Sequence, residues 1–201
     1  MALEETLRFV DRPLREARVE WALVGSAASV MQGCAITPRD VDLLFREPAG
    51  VDVLSPLMDR FAPPTCSKPL GSDGWVSSKE APIADQDDHG GFRWHWGRWV
   101  IGGFKVEAAH IRAPDANQGD EPGIWENGPR IWPLLRSTKF GPWTVRVPPL
   151  EVQLATCARR GLTERVEAIV RVLRRGGADP GLVSLALAGP DLAVIRSRLT
   201  P

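Results

Sequence analysis

Between Glu20 and Phe45 two short apolar runs, EWALV and DVDLLF, flank the segment GSAASVMQGCAITPR. This spacing constrains the fold more than any other feature of the chain. Each run is too short for a buried helix, and the first is stopped by Gly25, so both read as buried strands. The fifteen residues between them (25–39) leave room for one short helix and a turn. Ser26 is expected to cap that helix, which runs to about Gln32 and closes at Gly33. Thr37-Pro38 marks the turn into the second strand.

The second strand carries two acids. Side chains alternate along a strand, so Asp40 and Asp42 share one face while Val41, Leu43 and Phe45 supply the core on the other. At ~3.3 Å rise per residue the two α-carbons lie roughly 6–7 Å apart. Carboxylates held that close repel, and one is pushed towards protonation unless a cation lies between them. Mg²⁺ suits the position, since it takes oxygen ligands and binds one or two carboxylates together with substrate phosphates. Gly25 and Ser26 fit the same chemistry. Glycine lets a ligand approach the backbone, the helix start offers free N–H groups to an anion, and the Ser26 hydroxyl adds a donor.

Elsewhere, Leu3, Leu7, Val10 and Leu14 recur at helical spacing, giving an amphipathic opening helix that Pro13 is expected to end or bend. Residues 51–61 read as helix despite Pro56. Residues 62–91, rich in Pro, Ser, Gly and Asp, read as a loop with a short strand near Trp75. FRWHW and RWVIGGFKVEAAHI read as strands of a hairpin turning at Gly97. A second loop, 114–129, precedes a short final strand at TVRV. After Pro148-Pro149 the pattern turns helical, with Val166, Ile169, Val170 and Leu173 facing inward. The expected fold is α/β (α+β): a small mixed twisted sheet flanked by helices over residues 1–148, then a helical bundle over 149–201.

Lysine plus arginine equals aspartate plus glutamate at 25 each, so no overall positive field draws in nucleic acid. Cys34, Cys66 and Cys157 are odd in number, widely spaced and form no CxxC pair, which reads as reduced thiols in a cytoplasmic protein. His89, His95 and His110 show no zinc spacing with them. No basic leader or run of roughly 18 apolar residues points to export or to a membrane.

The order of apolar strand, Gly25-Ser26, short helix and Asp40-Val41-Asp42, with thirteen residues between Ser26 and Asp40, resembles the signature of the DNA polymerase β-like nucleotidyltransferase superfamily, as found in its small standalone members. The resemblance covers roughly residues 20–110. It implies a third carboxylate on a later strand, for which Glu107 in FKVEAAHI is the candidate. The family more often has aspartate there. Glu80, Asp85, Asp87 and Asp88 are rivals in an acidic run that reads as solvated.

The resemblance further implies transfer of a nucleoside monophosphate from an NTP such as ATP to an acceptor hydroxyl, with release of pyrophosphate. Two Mg²⁺ ions are implied, one on Asp40 and Asp42 and one reaching Glu107. Arg39 is a candidate phosphate contact. So are Arg159 and Arg160, because the lysine usual in the following helix is missing. The acceptor stays open between small molecule, RNA and protein. A non-catalytic relative that binds nucleotide or a partner, as in a toxin–antitoxin pair or by self-association, is the alternative. Eight tryptophans and no tyrosine are present, seven of them between Trp75 and Trp143, and they read either as core or as stacking surfaces for an acceptor.

Overall fold

The computed structural model describes residues 2–87, 91–112, 123–189 and 192–199. Asp88, His89 and Pro114 lie outside the described residues. The chain divides into two compact units, one of residues 1–23 and 39–114, the other of residues 24–38 and 115–201.

The first unit is built on a five-stranded mixed sheet. Its strands are β1 (Trp21–Val24), β2 (Asp40–Phe45), β3 (Ala84–Asp87), β4 (Arg93–Ile101) and β5 (Phe104–Arg112), in the spatial order β1-β2-β5-β4-β3. β2 runs parallel to β5, whereas β4 is antiparallel to both β5 and β3. This is the mixed sheet the sequence leads one to expect. Helices α1 (Ala2–Glu16) and α3 (Ala49–Met58) pack against each other and against the sheet. Leu3, Leu7, Val10 and Leu14 are all buried, as their spacing predicts. Pro13 does not end α1. It sits in the last turn, and its carbonyl accepts the Ala17 N–H at 2.9 Å. Pro56 is likewise carried inside α3.

Two expectations for the middle of the chain are corrected. The segment around Trp75 is not a strand, and the edge strand falls at Ala84–Asp87 instead. Gly97 is not a turn. β4 runs unbroken from Arg93 to Ile101, and the hairpin turns at Gly102-Gly103, with Ile101 opposite Phe104. Gly97 is required because a Cβ there would lie 2.3 Å from the Trp99 ring. Trp99 is 1% exposed and is the largest fully buried side chain of this core.

The same strand settles much of the tryptophan question. Trp75 and Trp96 are buried and pack with ring centroids 4.6 Å apart, alongside Ala84, Cys66, Trp94 and Ala109. These indoles are core. His95, on the opposite face, is held between Asp85 (Nδ1 to Oδ1, 3.0 Å) and Asp52 (Nε2 to Oδ1, 3.1 Å).

The second unit contains α2 (Gly25–Met31), the hairpin β6 (Arg136–Phe140) and β7 (Trp143–Val147), and the helices α4 (Leu150–Arg159), α5 (Thr163–Gly176), α6 (Pro180–Ala186) and α7 (Ala193–Ser197). α4 packs on α2, α5 and α6. Val166, Ile169, Val170 and Leu173 are buried along one stripe of α5. Asp179 caps α6 by accepting from the N–H groups of Gly181 and Leu182. Among the described residues, no helix is long and apolar enough to cross a membrane.

Candidate active site

The acids of the first unit come together through strand register. Asp40 pairs in register with Lys105, and Asp42 with Glu107, across the parallel β2–β5 ladder. Adjacent strands lie ~4.8 Å apart, and directly paired residues project from the same face. Asp40, Asp42 and Glu107 therefore line one side of the sheet, each half-buried. Val41, Leu43, Val106 and Ala108 fill the core on the other side. Arg39, just before β2, is exposed.

The next strand extends the row. Glu107 is opposite Arg98 in the antiparallel β4–β5 ladder, and Arg98 Nε stands 2.6 Å from Glu107 Oε1. The pair is an ion contact rather than an aligned hydrogen bond. Asp42, Glu107 and Arg98 thus form a cross-strand line of two acids and a base. Asp85 and Asp87, the rivals for the third acid, lie instead on the edge strand β3, where Asp85 meets His95 and Asp87 lies 3.9 Å from Arg93.

Gly25 and Ser26 belong to the second unit. Gly25 has φ +67°, in the left-handed region where a side chain is strained. α2 begins at Gly25 itself with Val24 as N-cap and no side-chain cap bond, so Ser26 is not the cap expected of it. It lies buried in the first turn, 3% exposed.

The Gly25 N–H donates to Glu126 Oε2 at 3.1 Å. Glu126 is itself 2% exposed, and its own N–H donates to Thr156 Oγ1 at 2.9 Å. Burial pushes this carboxyl above the usual carboxylate range; the Gly25 hydrogen bond and the charges of Arg165 and Arg160 oppose that rise. Behind it, Ser29 Oγ hydrogen-bonds Gln153 Oε1, and Gln32 donates to the Pro148 carbonyl at 3.0 Å. Arg159, a candidate phosphate contact, lies with its guanidinium 5.0 Å from the Trp125 ring.

Two solved structures share the architecture. A candidate nucleotidyltransferase from Thermotoga maritima matches with a TM-score of 0.56 over 86% of this chain and 93% of its own, at 19% identity. The aminoglycoside nucleotidyltransferase ANT(2'')-Ia, solved with adenylyl-2''-tobramycin, matches with a TM-score of 0.52 over 100% of both chains, at 13% identity. The protein has the nucleotidyltransferase fold. No family model and no curated protein sequence matches the chain. At these identities the likeness is one of fold.

Asp40 and Asp42 set two carboxylates on the same face of β2. Their hard oxygen donors lie on one face at half-buried positions, and Mg²⁺ characteristically takes one or two carboxylates and completes its shell with phosphate and water. Among the described residues, no group of three or more His, Cys, Asp or Glu side chains is placed to hold a metal ion, Asp40, Asp42 and Glu107 included. The nucleotidyltransferase fold also presents two residues that sequence reasoning missed, Arg98 and Glu126. Arg98 was hidden by reading Gly97 as a turn. Taken as one strand, RWHWGRW puts Arg98 on the face of Trp94 and Trp96, where a lone cation needs a partner. Glu126 lies in an aperiodic loop, where nothing local marks it as buried.

Proposed function

We propose that the protein is a Mg²⁺-dependent nucleotidyltransferase, moving a nucleoside monophosphate from an NTP to an acceptor hydroxyl. The observation that carries this reading is the register of Asp42 against Glu107, with Asp40 on the same face, in a sheet of the nucleotidyltransferase fold. The acceptor oxygen forms a bond to the α-phosphorus as the bond from that phosphorus to the β-bridging oxygen breaks. Pyrophosphate leaves with the electron pair, and the hydroxyl proton is lost to water. Asp40 and Asp42 would hold one ion and Glu107 would reach a second; bound Mg²⁺ supplies charge neutralisation on the phosphates and eases ionisation of the hydroxyl.

Gly25, Ser26 and Arg39 are the proposed nucleotide contacts. The Gly25 amide already donates to Glu126, so for phosphate to bind there Glu126 would have to give up that bond. A cytoplasmic setting agrees with the three free thiols. Aminoglycosides are the first acceptor class to try, because one fold neighbour was solved with adenylyl-2''-tobramycin.

The test is release of pyrophosphate from each of the four NTPs with Mg²⁺, supplied in turn with aminoglycosides, total RNA and a cytosolic protein fraction. Wild type should release it, and Asp42→Asn should lose at least about a hundredfold in rate. No release in any combination, or equal release by Asp42→Asn, would end the proposal. One observation favours the non-catalytic reading: the Glu107 carboxylate is already tied to Arg98. That reading expects Mg²⁺ with NTP to raise the melting temperature with no turnover.

A further inference from the structure

Arg98 links two parts of the first unit that the sequence gives no reason to associate. Its Nη1 stands 3.2–3.3 Å from the carbonyls of Ser72, Asp73 and Trp75, and its Nε 2.6 Å from Glu107 Oε1. Its guanidinium lies 5.1 Å from the Trp96 ring, and the side chain is 13% exposed. The backbone is tied to the same loop. The Arg98 N–H donates to Ser77 Oγ at 2.9 Å, and its carbonyl accepts the Ser77 N–H at 2.7 Å. The loop that lacks regular structure is thereby fastened to the carboxylate facing Asp42.

We propose that Arg98 is a positioning residue that sets Glu107 for its role beside Asp42 and makes that setting depend on the order of loop 72–77; this rests on reading Asp40, Asp42 and Glu107 as cation-holding acids. A guanidinium stays charged and offers donors in a rigid fork, so it can serve three carbonyls and a carboxylate together. The contact is made to Glu107 Oε1. Partners of this kind orient ligand carboxylates, and their loss can cost about 10- to 100-fold in activity. Lysine, a compact point charge, cannot span the same set.

Electrostatics gives the proposal a sign that a purely structural role lacks. A fixed positive charge beside the acids opposes cation binding, so removing it should tighten binding while spoiling turnover. The experiment compares wild type, Arg98→Met, Arg98→Lys and Glu107→Gln by Mn²⁺ titration without nucleotide, by hydrogen exchange over residues 66–80, and by steady-state kinetics. Arg98→Met should bind Mn²⁺ roughly two- to fivefold more tightly. It should also exchange the 72–77 amides at least about tenfold faster and lose at least about tenfold in kcat, with KM for NTP within about twofold. Arg98→Lys should restore the Mn²⁺ affinity but neither the protection nor kcat. Glu107→Gln should weaken Mn²⁺ binding and also speed loop exchange.

Full recovery by Arg98→Lys would show that charge alone matters. Unchanged loop exchange in Arg98→Met or in Glu107→Gln would show that the loop and the acid are not coupled. Either result overturns the proposal. Should Arg98→Met fail to fold, Arg98→Lys and Glu107→Gln decide it. If wild type binds Mn²⁺ and the loop responds as described but no turnover occurs, the proposed reaction falls and the positioning role stands. If wild type binds no Mn²⁺, both fall.

Discussion

Replacing Gly97 with alanine separates two opposite expectations. In a strand, alanine normally stabilises relative to glycine by roughly 0.5–1 kcal/mol, because the unfolded chain has less freedom to lose. Here the added Cβ would lie 2.3 Å from Trp99 Cη2 and 2.9 Å from Cζ2 and Cζ3. Carbon atoms in contact sit ~3.5–4.0 Å apart, so the indole has to retreat by about 1 Å or more. Trp99 is 1% exposed and has no solvent side to move into.

Overpacking of that kind costs about 1–3 kcal/mol, which outweighs the entropic gain. The net destabilisation should be about 1–2 kcal/mol, or roughly 2–8 °C in Tm for a chain of this size. Circular dichroism melts and urea titrations read it directly. A second background makes the cause explicit. Trp99→Leu removes the ring and alone costs about 2–4 kcal/mol, but Gly97→Ala made on top of it should be neutral or stabilising. A stabilising Gly97→Ala in wild type, or an equal cost in both backgrounds, would refute the close approach of ring and backbone.

Other outcomes follow from single groups. The folded-state pKa of Glu126 lies above its unfolded value, so the folded state holds this proton more tightly. The stability it contributes is complete below the unfolded pKa and is lost as pH rises through the folded one. Glu126→Gln, whose carbonyl still accepts from Gly25, should therefore gain urea stability over wild type at pH 8 and show no gain at pH 4; a gain independent of pH would contradict this. The buried thiols of Cys34 and Cys157 are both pushed up to about 11 by burial, so both should resist iodoacetamide at pH 8 until the protein is unfolded. Rapid labelling of either in the native state would show that its surroundings are open. Asp42→Asn should leave Tm unchanged or raise it by a few degrees in metal-free buffer, as like charges on one sheet face are relieved. A large fall would make Asp42 a structural partner instead.

The parts of the fold legible in the sequence are those set by local periodicity. DVDLLF alone fixes β2 and the shared face of Asp40 and Asp42, because alternation leaves no other way to bury Val41, Leu43 and Phe45. Leu3, Leu7, Val10 and Leu14 fix the inner face of α1 in the same way. Gly97 misleads because its reason for being glycine is a ring folded over it, a packing fact that looks like turn chemistry in one dimension. Trp75 reads as strand because it is apolar and aromatic, yet a loop presents it to Trp96. Arg98 and Glu126 find their partners through tertiary contacts, and no spacing rule reports those.

The bond from Gly25 to Glu126 spans 101 residues. At synthesis rates of ~5–20 residues per second, the Gly-Ser segment waits roughly 5–20 s on the ribosome before its acceptor is even made. A seven-residue helix cannot hold itself together in water over that interval. The earliest-translated piece of the signature should therefore be among the last to take shape, and a nascent chain released before residue 126 would carry the motif in its sequence without the geometry that gives it meaning.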